Sequence, residues 1–331
     1  MTWPAISVAF DGLEPARSAV GLAREAEQCG LQGIWTADHT GYRDALMSAM
    51  AIVNSTERLR VIPTALSPYL RHPVPAAMAA ATLEEYAPGR IALTVGLGNP
   101  LFLREAGIDA RSPLKAVEEY ISALRELWTG QPVAAVGSHV NLAGARLGFG
   151  NPRGVPVYVA AIRPKMVALG ATLADGVVFS SGLSVDALRA SVDSARTARA
   201  AAAAEASRVY VAAYVIASSS DNGRAAVEAC RNKLAFVLRN HYLQEAIAAS
   251  AIEVDQQAII AAISRRDIAA AAALVPDAAV DEFCAAGTAA QVISRLEAYA
   301  STGVDEIVLA VVGDQELKRS TLQTVREHRR R

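Results

Sequence analysis

The chain has 331 residues, a mass of 34.7 kDa and 52% apolar residues, enough for one large α/β barrel or two ordinary domains with a sizeable core. Its 32 Lys and Arg nearly cancel 33 Asp and Glu, which removes the electrostatic case for a nucleic-acid or anionic-membrane partner. Cys29, Cys230 and Cys284 are far apart and lack metal-ligand spacing, no secretory pattern opens the chain, and the alanine tracts near 198–204 and 268–273 carry flanking charges, so a cytoplasmic protein without a membrane span is expected.

Short β-branched runs alternate with helical patterns. "AISVAF" (5–10) reads as a strand, and "PARSAVGLAREAEQCG" as a helix with Ala19, Leu22, Ala23 and Ala26 on one face and a stop at Gly30. "GIWTA" is the second strand and 43–55 the second helix; "RLRVIPTAL" is the third strand, followed by a helix from Pro73 to Ala87. The prolines open that helix, where a missing N–H costs least. "RIALTVGLG" is the fourth strand and "LKAVEEYISALRELWTG" an amphipathic helix closed by Gly130.

The rhythm breaks at "PVAAVGSHVNL" (132–142), which reads as an inserted hairpin around Gly137-Ser138. It resumes with "VPVYVAA", the helix "PKMVALGATLA", the strand "DGVVFS" and a helix over 184–204. "RVYVAAYVIAS" is strand seven, and the helix after it carries an Asp-Asn start signal (Asp221, Asn222). Residues 243–283 read as a helical insertion; a helix at "TAAQVISRLEAYASTG", strand eight at "VDEIVLAVV" and a closing helix over 315–328 complete the chain, whose basic end His328-Arg329-Arg330-Arg331 reads as solvated. Eight βα steps with near-continuous apolar strands argue for a (β/α)8 TIM barrel over a doubly wound sheet. No Pro-, Gly- or Ser-rich linker divides the chain, so one domain over 1–331 is expected.

In such barrels the C-terminal rim of the strands builds the site. Asp38 and His39 end strand two, where they either cap the following helix or serve a site. Strand four ends in "GLGNP", where Gly96 and Gly98 permit close backbone approach and Asn99 offers an amide. The spacing is not a dinucleotide fingerprint. Arg163 and Lys165 start a helix after strand five, where free N–H groups favour an anion; alternatively they are two exposed surface cations. Ser180 and Ser181 offer hydroxyls after strand six. The five histidines have no metal spacing, and neither a GxSxG elbow nor a P-loop lysine is present, so no metal is expected and organic-cofactor chemistry is favoured.

The segments "GLQGIWTADH", "SPYLRHPVPAAMAAATLEEYAPGRIALTVGLGN", "LKAVEEYISALRELWTGQPV", "PVYVAAIRPKMVALGATLADGVVFSSG" and "TGVDEIVL" together resemble the bacterial luciferase-like superfamily. The likeness is to its deazaflavin-dependent branch, typified by methylenetetrahydromethanopterin reductase, and it is loose over 205–285. The resemblance implies a (β/α)8 barrel, often dimeric, with coenzyme F420 in its mouth, or FMN in the related monooxygenases. It implies a non-prolyl cis peptide at Thr64-Ala65 against the ring and makes His39 a proton acceptor or donor beside Asp38. Gly96, Gly98, Ala160, Ala161 and Ile162 match cofactor-contacting backbone, and Arg163 and Lys165 match the neighbourhood of the phosphodiester.

Two departures stand out. Ala9 stands where the reductase has a glutamate, and Asn99 where it has an acidic residue, which argues against pterin reduction by the same acid–base groups. The expected function is hydride transfer between F420 and a small organic substrate. The alternatives are an FMN-dependent monooxygenase and a non-catalytic flavin-binding homologue. Pocket walls are expected from the loops after strands one, two and four and from the 243–283 insertion.

Overall fold

A computed structural model describes residues 3–149, 155–202 and 208–330. Met1, Thr2, the end of the 198–204 alanine tract and Arg331 lie outside them. In chain order the first half contains β1 (Ala5–Phe10), α1 (Ala16–Gln28), β2 (Gly33–Ala37), α2 (Ala45–Val53), β3 (Arg60–Thr64), α3 (Pro73–Tyr86), β4 (Leu93–Val95), α4 (Pro100–Glu105) and α5 (Pro113–Trp128). Then come β5 (Val133–Val136), β6 (Asn141–Ala145), β7 (Val157–Ala160), α6 (Pro164–Leu173), β8 (Gly176–Phe179), α7 (Val185–Ala202), β9 (Tyr210–Ser219) and α8 (Arg224–Leu238). A short 3-10 turn (His241–Leu243) leads to α9 (Gln244–Ala249), α10 (Gln256–Ser264), α11 (Ile268–Ala273) and α12 (Asp277–Phe283). β10 (Cys284–Gly287), α13 (Ala289–Ala300), β11 (Glu306–Val311) and α14 (Gln315–Arg329) end the chain.

The strands run parallel in the order β3-β2-β1-β11-β9-β8-β7-β4. The ring closes where β3 meets β4 through the Val61–Ile91 and Leu66–Val95 bridges. Strand periodicity divides the side chains between two cores. Trp35, Ile62, Ala92, Tyr158, Val178, Ala212 and Val308 fill the barrel, whereas alternate positions such as Ile34, Val61, Leu93, Val157, Val177, Val211 and Ile307 face the helices. The helix faces match this layer: α5 buries Val117, Tyr120, Ile121, Leu124, Leu127 and Trp128 at helical spacing. Both the eight-strand rhythm and the parallel ring follow the sequence reading.

Four local differences separate the structure from the sequence reading. The hairpin reaches Ala145, beyond the expected 142, with a register shift between Val133 and Ala134 that sets Val133 opposite Ala145. The third strand is confined to Arg60–Thr64 rather than the whole of "RLRVIPTAL". The helix expected to start at Asp221-Asn222 starts one turn later behind Gly223, while Asn222 accepts a hydrogen bond from the Arg224 amide. Residues 284–287 were not expected as a strand, since Cys-Ala-Ala-Gly has no β-branched residue. They form β10 because the end of β9 extends past β8 and leaves a free edge, which Cys284–Gly287 pair in register with Ile216–Ser219.

Candidate active site at the barrel mouth

Because every barrel strand points the same way, Asp38, Thr64, Gly96, Ala160 and Ser180 all emerge at one end of the ring. The floor there is made of small residues. A Cβ built on Gly96 would sit 2.8 Å from the Ala65 Cβ and 3.3 Å from the Ala160 Cβ, so β3, β4 and β7 come together with no room for a side chain. The Thr64-Ala65 peptide is cis, as the resemblance implied. The Thr64 hydroxyl is turned towards Ile62 O at 2.9 Å and Thr94 Oγ1 at 3.2 Å. Ala161 donates its amide to Val178 O at 3.0 Å, which locks the end of β7 to β8, and Ile162 packs half-buried on the core. The Ser180 Oγ is shielded from solvent with no hydrogen-bond partner among the described residues, and Ser181 beside it is buried.

Asp38 serves two structures at once. Its amide donates to Thr64 O at 2.6 Å, and its carboxylate accepts from Ala45 N, the first residue of α2, at 3.5 Å. The formal cap of α2 is Asp44, which accepts from Leu46 and Met47 and is paired with Arg71. Burial raises the Asp38 pKa, against the opposing pull of Arg71. His39 follows, open to the mouth, with its ring edge-on to Tyr42 at 5.3 Å. The protein surrounding it, then the Lys233 and Arg239 cations, push its pKa below the ordinary imidazole value, leaving a neutral ring at neutral pH.

Asn99 is used locally rather than turned wholly to the mouth: its side-chain oxygen accepts from Leu101 N at 2.9 Å and caps α4. Gly98 before it takes φ +81°, the left-handed turn that brings the chain off β4. Arg163 and Lys165 are exposed at the start of α6 and form no salt bridge among the described residues. The Arg163 guanidinium lies 5.4 Å from the Tyr242 ring centroid. The sequence-derived residues therefore share the rim, with Asp38 and His39 after β2 and the Arg163–Lys165 pair after β7.

What sequence reasoning missed is the stretch from Phe236 to Leu243, which closes one wall of the mouth. Arg239 lies 4.0 Å from the Phe236 ring centroid and 5.7 Å from that of Phe102, and Phe102 is 6.0 Å from Tyr42. Gly182, φ +96°, fits against Val237 and Leu243, where a Cβ would be 2.9 Å and 3.0 Å away. Lys233, one turn earlier in α8, pairs with Asp11 after β1 at 3.4 Å. Tyr42 and Phe102 had a visible signal, an aromatic a few residues past a strand end. Arg239 had none, because a basic residue at a helix end reads as solvated.

Among the described residues no cluster of His, Cys, Asp or Glu has metal-binding geometry, and no helix is long and apolar enough to cross a membrane. The three cysteines are unpaired and buried.

Comparison with known proteins agrees with this architecture. The chain is 29% identical over 293 residues, 86% of each chain, to 5,10-methylenetetrahydromethanopterin reductase of Archaeoglobus fulgidus. Its fold superposes with a TM-score of 0.87 at 22% identity, over 99% of both chains, on the coenzyme F420-dependent tetrahydromethanopterin reductase of Methanopyrus kandleri. It also superposes with a TM-score of 0.81 at 19% identity, over 98% of both chains, on an F420-dependent secondary alcohol dehydrogenase solved with an F420-acetone adduct. The family model described as luciferase-like monooxygenase matches residues 4–306. With that match spanning nearly the whole barrel, the chain belongs to the luciferase-like monooxygenase family.

Proposed function

We propose that the protein is an F420-dependent oxidoreductase that moves a hydride between the deazaflavin and a small organic substrate, the whole chain working as one luciferase-like unit. The observation that carries this reading is the close-packed floor of small residues at Ala65, Gly96 and Ala160, at the same strand-end rim as the neutral His39. The residues fit the cofactor. A planar ring needs a flat bed, which these three positions supply; the unpartnered Ser180 hydroxyl offers it a hydrogen bond. The Lys165 amide at the start of α6, with the Arg163 and Lys165 side chains, suits an anionic tail. Gly98, Ala161, Ile162 and Ser181 complete the bed, and Asn99 shapes the loop beside it.

Bound F420 supplies two-electron hydride chemistry without oxygen activation. The chain's share is proton handling and orientation. A neutral His39 ring nitrogen accepts the hydroxyl proton of an alcohol as it becomes a carbonyl, or, starting as imidazolium, returns that proton in the reductive direction. Asp38, tied to the first amide of α2 and to Thr64, holds the loop that presents His39. The aromatic wall of Tyr42, Phe102 and Phe236 excludes water from the substrate side.

The F420-dependent proteins that this chain resembles support F420, while the family's description as monooxygenases makes FMN the competitor. Titration of cofactor-free protein with F420 and with FMN, read by fluorescence and by oxygen consumption, decides between them. Tighter F420 binding with no oxygen uptake is expected; tighter FMN binding with oxygen uptake overturns the reading, and binding of neither indicates a homologue without the chemistry. Exposed Met47, Met78 and Tyr86 on α2 and α3 support a homodimer, and three unpaired thiols suit a cytoplasmic setting.

A further inference from the structure

Hydride transfer as described leaves Arg239 without a task. It stands at the end of α8 on the wall of the mouth that also holds Phe102 and Tyr42, the latter against His39. Its guanidinium is stacked on Phe236 and flanked by Phe102, while its Nε is shielded from solvent with no partner among the described residues. No carboxylate forms a salt bridge with it among the described residues, in contrast to its neighbours: Lys233 pairs with Asp11 at 3.4 Å and Arg231 with Glu228 and Asp277. Burial lowers its pKa, relieved only by Tyr42, yet an arginine remains charged throughout the accessible pH range.

A guanidinium held by its face keeps the donors along its edge free and pre-oriented, and that edge matches a carboxylate or phosphate in two parallel hydrogen bonds. Aromatic faces also withdraw the cation from water without neutralising it, a cost that an arriving anion offsets. We propose that Arg239 docks a compact oxyanion carried by the substrate, a carboxylate or a phosphate, so that the enzyme takes short anionic alcohols or carbonyl compounds and holds their reacting carbon before His39. The inference rests on His39 being the hydride-transfer site. It specifies the substrate class that the site accepts, and it accounts for an aromatic wall that ends in a cation. The anionic tail of the cofactor has the same chemistry, but Arg163 and Lys165, without a salt bridge among the described residues, already stand at the start of α6 for that role.

The test is calorimetric titration of inorganic phosphate into F420-saturated wild type, Arg239→Gln and Arg239→Lys at fixed ionic strength, with F420 affinity measured separately. Phosphate is expected to bind the wild type, to bind Arg239→Gln about tenfold more weakly or worse, and to bind Arg239→Lys in between, with F420 affinity unchanged in all three. Equal phosphate affinity in wild type and Arg239→Gln overturns the proposal. So does exclusion of phosphate by F420 together with weaker F420 binding in Arg239→Gln, which hands the guanidinium to the cofactor tail. Thermal melting of each variant checks folding, and the charge-preserving Arg239→Lys keeps the comparison decisive if Arg239→Gln is unstable. If the wild type fails to bind F420, the cofactor reading falls, and the same phosphate titrations on cofactor-free protein decide the role of Arg239 on its own.

Discussion

His39 is poised by its surroundings rather than by a hydrogen-bonded carboxylate. The enclosing protein and the two nearby cations hold its pKa below the ordinary value of 6.5, so the neutral, proton-accepting form already dominates at pH 7. In the oxidative direction kcat/KM should therefore rise with pH through an apparent pKa below 6.5 and be level above it. Replacing Lys233 by methionine removes a positive charge, stabilises imidazolium and should move that acidic limb to higher pH; a limb that stays in place or moves down refutes the electrostatic account. His39→Ala should cost about 100-fold or more in kcat while F420 affinity is kept. Turnover undisturbed by that change would remove the proton-transfer role. Gly96 carries the complementary prediction. Gly96→Val has no space beside Ala65 and Ala160, so it should abolish F420 binding or displace the floor, read by titration against a melting curve.

At the scale of an element, the inserted β5–β6 hairpin shows how one side chain fixes a turn. The Glu119 carboxylate of α5 accepts hydrogen bonds from the amides of Ser138, His139 and Val140 at 2.8–3.0 Å and from the Ser138 hydroxyl at 3.2 Å. Burial opposes its ionisation, but those donors prevail and hold its pKa at about 2 instead of the usual 4.5. With a depressed carboxylate pKa the contribution is fully present above pH 4.5 and is lost as pH falls towards 2. Amide exchange at Ser138, His139 and Val140 should therefore accelerate over that acidic window, and in Glu119→Gln should be fast already at neutral pH. Unchanged protection in Glu119→Gln would show that the β5–β6 ladder alone fixes the turn. The same logic explains β10, whose strand state comes from the unpaired edge of β9 and not from its residues.

For the whole molecule, the end of the barrel opposite the mouth is sealed by a polar plug. Glu306, fully buried, accepts from Trp35 Nε1 at 2.9 Å, Tyr210 Oη at 2.8 Å and the Ser7 hydroxyl, and pairs with Arg60 at 3.4 Å. Arg60 also donates to Tyr158 at 2.8 Å. Burial alone would lower the Arg60 pKa, but Tyr158, Glu306 and Tyr210 together raise it; burial and the Glu306 charge raise that of Tyr210. Side chains from four other strands, β1, β2, β3 and β9, thus depend on one carboxylate of β11. Glu306→Ala leaves Arg60 half-buried without its counterion and should cost about 3–5 kcal/mol by denaturant unfolding. A loss below about 1 kcal/mol would mean that the plug is replaceable by water or by packing.

The alternation of apolar runs and helical faces, together with glycine stops such as Gly30 and Gly130, determined the eight βα steps, because strand and helix periods are local properties of the chain. Strand direction then made the polar strand ends converge, so Asp38, His39, Gly96 and Arg163 were legible as one candidate rim. Folding alone decided what those residues touch. Asn99 became the cap of α4 because its own helix lies one residue away, and the Ser180 hydroxyl is left shielded without a hydrogen-bond partner among the described residues. Arg239 and Lys233 reached the mouth from a helix that is adjacent in space and remote in sequence, and β10 formed on an edge that no local pattern announces. Periodicity reports which face of an element is apolar, whereas charge pairing, floor depth and substrate-side chemistry are set by non-local contacts that exist only once the ring has closed.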